Sequence, residues 1–193
     1  MSQNCDQELV IQLQSGSLEA LGSLYDRHRQ LVYRTALAIT NDPEAANDLL
    51  QDVFLRLYRF AGRVDCARPL EPWLYRMTAN LSYTWVKRYH RWFQPLEDLA
   101  DWFFGGDANP SYNQVEMRDD WNQVQQAVAA LPLSQRMVVV LHYLNDLPVQ
   151  EIADILDLPA GTVKSRLHYG RTALRKKLGM VKELVPDFHF EST

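Results

Sequence analysis

The chain has 193 residues, 47% hydrophobic and 23% charged, with a formal net charge of −4, which excludes both a disordered chain and a uniformly basic DNA-coating protein. It has no run of about 18 apolar residues to span a membrane, and the opening Met1-Ser-Gln-Asn-Cys-Asp6 lacks the basic-then-apolar pattern of a secretion signal. Two separated cysteines, Cys5 and Cys66, provide neither a zinc motif nor a disulfide framework, so the expectation is a cytoplasmic protein with no metal, no cofactor and no membrane insertion.

The periodicity is helical nearly throughout. Ser17 is placed to cap a helix in which Leu18, Leu21, Tyr25, His28, Val32, Thr35 and Ile39 recur every three or four residues. Asn41-Asp42-Pro43-Glu44 reads as a break and a new start, with Asp42 as cap and Pro43 in the first turn. The next helix gathers Ala46, Leu49, Leu50, Val53, Phe54, Leu57 and Tyr58 on one side, leaving Asp48, Gln51 and Asp52 outside beside Leu55. A loop follows over Gly62–Pro69, then a helix from near Pro72 through Trp73, Met77, Leu81 and Val86 to about Arg91. The acidic stretch from Phe93 to Tyr112, with Pro95, Gly105, Gly106, Pro110 and the aromatic run Trp102-Phe103-Phe104, reads as a linker. Those aromatics either accompany the acids into a partner or pack the two flanking domains together.

Helical patterning resumes near Met117, with Trp121, Val124, Val128 and Leu131, and stops at Pro132. Ser134 is expected to cap a helix containing Val138, Leu141 and Leu144. Pro148–Asp157 is a short amphipathic helix that buries Ile152, Ala153 and Leu156. Leu158-Pro-Ala-Gly161 is a tight turn in which Gly161 is free to take positive φ, and Thr162 caps a final helix with Val163, Leu167, Gly170 and Leu174 on one side. Helix, short turn and helix form the unit that places a helix in the major groove. The fold class is therefore all-α, two small helical domains joined by a flexible acidic linker: residues 1–92, linker 93–116, residues 117–179, and a tail over 180–193.

Charge is segregated. Thr162 to Leu178 carries Lys164, Arg166, Arg171, Arg175, Lys176 and Lys177 and no acid, and a second basic cluster is Arg76, Lys87, Arg88 and Arg91. Acids gather at Asp42, Glu44, Asp48 and Asp52, and again at Glu97 to Asp120. Opposite the apolar stripe of the last helix lie Ser165, His168 and Thr172, flanked by Lys164, Tyr169, Arg171 and Arg175. An acid-free face following such a turn is the footprint of a DNA reader. Gly170 weakens this helix by about 0.5–1 kcal/mol relative to Ala, which points to close packing against the preceding helix. The five histidines are scattered, and no phosphate loop, metal-ligand cluster or nucleophile motif suggests an enzyme.

Thr162-Val-Lys-Ser-Arg-Leu167, preceded by Gln150-Glu-Ile-Ala153 and Ala130-Leu-Pro-Leu-Ser-Gln-Arg136, resembles region 4 of extracytoplasmic-function (ECF) sigma factors. Asp48-Leu-Leu-Gln-Asp-Val-Phe-Leu55 and Trp73-Leu-Tyr-Arg-Met-Thr-Ala-Asn80 resemble two signatures of sigma region 2. The resemblance covers roughly residues 8–91 and 117–178. It implies that Asp48, Gln51, Asp52 and Leu55 dock on the β′ clamp helices of core RNA polymerase, whose β subunit is also a partner. It implies that Asn80, with Arg76, Trp85, Lys87 and Arg88 and the loop 61–71, meets the −10 promoter element. It further implies that Thr162, Lys164, Ser165, His168 and Tyr169 read the −35 element while Arg166, Arg171 and Arg175 hold phosphates. Promoter DNA and an anti-sigma factor are the other implied partners. Leu70-Glu-Pro-Trp73 departs from the family's usual Phe-Arg-x-Trp, and Thr84 stands where an Asp often follows, which leaves the −10 sequence open. The competing reading is a polymerase-independent helix-turn-helix regulator that binds its operator alone.

Overall fold

The computed structural model describes residues 2–93 and 119–178, and every element among them is helical. The expected linker from residue 94 onward, with its aromatics Trp102-Phe103-Phe104, and the tail 180–193 lie outside the described residues.

Helix α1 spans Ser2–Gln14, α2 Leu18–Thr40, α3 Pro43–Arg59 and α4 Glu71–Phe93. α1 has no counterpart among the elements expected from periodicity, because among its described side chains Val10 and Leu13 are the only fully buried apolar ones, with Leu9 partly buried beside them. Buried with them is Asp6, whose carboxylate binds the Arg27 guanidinium and sits 2.9 Å from His28 Nε2. A buried carboxylate is tolerated only with such partners, and both come from α2. Ser17 caps α2 as expected, accepting from the Ala20 amide, and Asn41 ends it in the left-handed region at φ 55°. Asp42 accepts from the amides of Glu44 and Ala45 and starts α3, with Pro43 in its first turn. α3 and α4 each pack along α2. The shared core is Leu24, Val32, Leu50, Val53, Phe54, Leu57, Leu70 and Leu74, with Trp73 half-buried against it.

The second unit consists of α5 Asp119–Ala129, α6 Leu133–Val139, α7 Val149–Leu156 and α8 Ala160–Leu178. α6 starts after Pro132 with no side-chain cap, so Ser134 falls inside its first turn and not at the cap position. It widens into a π-type turn over Val140–Leu144, stabilised where His142 Nδ1 meets the Leu147 carbonyl at 2.8 Å. Arg136 through Leu141 are all buried. That is possible because α6 lies between α8 on one side and α2 on the other.

The two units therefore share an interface. Ile39 and Ala79 of the first form one cluster with Met137 and Val140 of the second, and Tyr75 of α4 is buried in the core of the second unit. Buried Arg136 donates to the Ile39 carbonyl at 2.7 Å and to the carbonyls of Ala129 and Leu131. Desolvation lowers its pKa to about 10, so it stays charged at neutral pH. Asn145 Nδ2 donates to Thr35 Oγ1 at 2.7 Å. Among the described residues no helix is long and apolar enough to cross a membrane.

Candidate nucleic-acid and polymerase interfaces

The turn between α7 and α8 differs from the sequence expectation. The left-handed residue is Asp157, at φ 54°, and the amides of Asp157 and Leu158 both reach back to the Ala153 carbonyl, a Schellman-type helix end. α8 then begins at Ala160, with the Thr162 and Val163 amides bonded to the Pro159 carbonyl. Thr162 thus lies within the first turn rather than capping it. Gly161 does not have positive φ, and a Cβ there would meet nothing within 4 Å. The short Asp side chain tolerates the left-handed region without a glycine.

From this start, Val163, Leu167 and Gly170 fall on the buried side of α8, with Leu174 partly buried. Gly170 is required by space: a Cβ there would stand 2.7 Å from Val139 Cγ2. The close partner is α6, two helices earlier, and not α7. Burial of this stripe turns Lys164, Ser165, His168, Tyr169, Thr172 and Arg175 outward, with Thr162, Arg166 and Arg171 at the margins. Tyr169 is 62% exposed, and its ring meets the His168 ring edge-on at 5.6 Å. Ser165 and Thr172 direct their hydroxyl protons to the carbonyls of Thr162 and His168, so outward they offer acceptors. The outer face thus combines cations, an imidazole, a phenol and acceptor hydroxyls over several turns, with no acid.

On α3, Asp48, Gln51, Asp52 and Leu55 occupy positions i, i+3, i+4 and i+7 of one face, all exposed, with Leu55 at 55%. A concavity beside them is lined by Asp52, Leu55, Arg56, Arg59 and Phe60. Arg56, Arg59 and Phe60 did not stand out in the sequence. Phe60 ends α3 with its ring under the Arg63 guanidinium at 5.2 Å, a placement that depends on the turn over 61–63 and not on helical period. The face thus carries carboxylates and an amide around the apolar Leu55, with Arg56, Arg59 and Phe60 along its edge.

The expected α4 residues are not all equivalent. Asn80, Lys87 and Arg88 are exposed on the outer side. Tyr83, 42% exposed one turn beyond Asn80, joins them and was missed because periodicity does not separate it from a core aromatic. Trp85 is half-buried against the cluster of Ala36, Ala46 and Leu49, and its outer side stacks on Tyr89 at 5.1 Å and 14°. Arg76 is engaged by the second unit: its guanidinium donates to the Ile155 carbonyl at 3.2 Å and to the Asp154 carbonyl at the end of α7. A cation at a helix C-terminus is electrostatically favoured. Among the described residues, one group has metal-ligand geometry, Asp6, His28 and Glu71. The Asp6 carboxylate is already paired with Arg27 and bonded to His28, so these side chains brace α1 against α2, with Glu71 at the start of α4 beside them.

Comparison with known proteins agrees with this geometry. Residues 24–93 match Sigma-70 region 2, and residues 121–174 match Sigma-70, region 4. The chain is similar to the ECF RNA polymerase sigma factor SigW of Bacillus subtilis (strain 168), 30% identical over 180 residues that cover 88% of this chain and 94% of SigW. Among solved structures it is similar to CnrH in complex with the cytosolic domain of CnrY, with TM-score 0.65, 23% identity, and 91% and 97% of the two chains covered. It is likewise similar to the sigma factor RpoE in complex with the anti-sigma factor NepR from Bartonella quintana, with TM-score 0.65, 19% identity, and coverage of 84% and 98%. At these identities the solved structures bear on the fold alone.

Proposed function

Since the chain belongs to the extracytoplasmic-function (ECF) family of RNA polymerase sigma factors, we propose that it recruits core RNA polymerase and directs initiation at promoters with −35 and −10 elements. The observation that carries the reading is α8: its apolar side is consumed by α6 and α7, and what remains outside is an acid-free polar face following a helix-turn-helix. In this reading Lys164, Ser165, His168 and Tyr169 reach base edges in the major groove, with Thr162 at the entry of the helix. Arg166, Arg171 and Arg175 hold phosphates.

The −10 element falls to α4 and the loop 61–71. Asn80 offers a donor and an acceptor to an unstacked base, Tyr83 adds an exposed ring, and Lys87 and Arg88 follow the strand. Trp85 supports that surface from within through its stack with Tyr89, while Arg76 joins it only when freed from α7. Core polymerase docks at Asp48, Gln51, Asp52 and Leu55 on its β′ clamp helices, and Leu55 gives the centre of that patch an apolar anchor. Residues 1–92 then form the polymerase and −10 unit and residues 117–179 the −35 unit, joined over 93–116. The chain performs no bond-making of its own, since nucleotide addition belongs to the polymerase, and it works in the cytoplasm. An anti-sigma partner belongs to the same proposal, supported by the similar proteins solved with CnrY and NepR.

Runoff transcription with purified core polymerase over a promoter library tests the reading. A product that depends on this protein is expected from a subset of templates, and no such product from any template defeats the proposal.

A further inference from the structure

Gln14, the last residue of α1, reaches the start of the loop between α3 and α4. Its side-chain Nε2 donates to the Ala61 carbonyl at 3.1 Å and to the Val64 carbonyl at 2.9 Å. One amide nitrogen thus ties two backbone carbonyls three residues apart, a fork that needs an NH₂ group on an arm of this length. The ties cross 47 and 50 residues of sequence, so no local turn rule supplies them.

The loop they hold is ordered rather than slack. Ala61, Val64 and Leu70 are buried and anchor it at both ends. Between the anchors, Asp65 Oδ1 accepts from the Ala67 amide at 3.0 Å and Oδ2 lies 3.3 Å from Arg68 Nε. Asp65, Ala67, Arg68 and Pro69 face outward, and Cys66 is turned partly in. α1 can act as a fixed support because Asp6 locks its other end to Arg27 and His28 of α2. The polar character of α1 thereby acquires a purpose that core packing does not give it: its two polar ties, one at each end, connect α2 to the loop.

We propose that Gln14 is a positioning residue for −10 recognition, holding the loop 61–71 in the register from which it and the Asn80 side of α4 read the opened strand together. The proposal rests on the reading that this loop and α4 meet the −10 element, and it adds a specificity role for a helix that touches no DNA in that reading. A loop held in one register discriminates because its contacts meet only the correct base in place; a loosened loop shifts to suit an incorrect base, so the difference in affinity between the two narrows.

The test uses holoenzyme made with wild type, Gln14→Met and Gln14→Glu, each selecting from a library randomised over both promoter elements. Gln14→Met keeps the arm without donors, and Gln14→Glu turns an acceptor toward the two carbonyls. The expected result is a loss of about 5-fold in −10 base preference, larger for Gln14→Glu, as befits two neutral hydrogen bonds. The −35 profile and affinity for core polymerase stay at wild-type values while the thermal midpoint falls by only a few degrees, a separation that a merely structural brace would not produce. A −10 profile identical to wild type in both variants overturns the proposal, as does parallel loss of −10 and −35 preference with a lowered midpoint. Wild-type holoenzyme that selects no promoter defeats the parent reading as well, so the two failures are distinguishable.

Discussion

Helices α8 and α4 both carry basic, polar outer faces, yet the folded chain leaves them in different states. On α8 the outer face is open from Lys164 to Arg175, because the helix is fixed entirely from its other side by Val163, Leu167 and Gly170. On α4 the corresponding face is divided. Its first turns lie against the second unit, with Tyr75 buried there and Arg76 bound to the end of α7, while Asn80, Tyr83, Lys87 and Arg88 remain exposed. A face fixed from behind is presented whatever the rest of the molecule does. A face that is also part of an interface changes its accessible groups whenever that interface opens.

That contrast can be broken at several points. The largest effect is expected for Arg136→Ala, which leaves the carbonyls of Ile39, Ala129 and Leu131 without their buried donor. A loss of about 3 kcal/mol in urea unfolding is expected, consistent with hydrogen bonds from a charged group; a change below about 1 kcal/mol would mean that the interface does not depend on this residue. Gly170→Ala comes next. Its Cβ would stand 2.7 Å from Val139 Cγ2, and overpacking of about 1–3 kcal/mol outweighs the gain in helix propensity. A double-mutant cycle with Val139→Ala should show favourable coupling, and strict additivity would deny the contact.

Arg76→Ala should cost about 1 kcal/mol and act locally. Faster hydrogen exchange is expected in the last turn of α7 and none in α8 beyond Leu167; equal change in both would make the two faces one unit and erase the contrast. The smallest effect is expected for Arg175→Ala, which leaves stability unchanged, weakens DNA binding across all sequences and reduces the salt slope by about 0.9. A shift in base preference instead would move Arg175 from phosphate contact to readout.

Much of this organisation was legible in the sequence where local rules govern. The Asp42-Pro43 start of α3, its exposed Asp48–Leu55 face and the outward set on α8 all follow from capping chemistry and a 3.6-residue period. Features decided by distant partners were not legible. α1 escaped notice because its buried Asp6 is an acceptable core residue only beside Arg27 and His28. Gly161 drew attention as the turn residue, but the left-handed position is Asp157, set by the Schellman closure onto Ala153. A glycine inside a helix signals close packing, but the partner of Gly170 is α6 and not the preceding helix, because the tertiary path sets which helix crosses there. Arg76 read as a DNA-facing cation, and only the fold shows its guanidinium on carbonyls 78 and 79 residues away.

The central claim is that two separately supported faces read two separate promoter elements. It is tested most directly by promoter selection with holoenzymes carrying His168→Ala or Asn80→Ala. His168→Ala should alter base preference at one position of the −35 element by about 1–3 kcal/mol and leave the −10 profile as in wild type, with Asn80→Ala doing the reverse. Changes in both elements from either single substitution, or in neither element from both, would contradict the account.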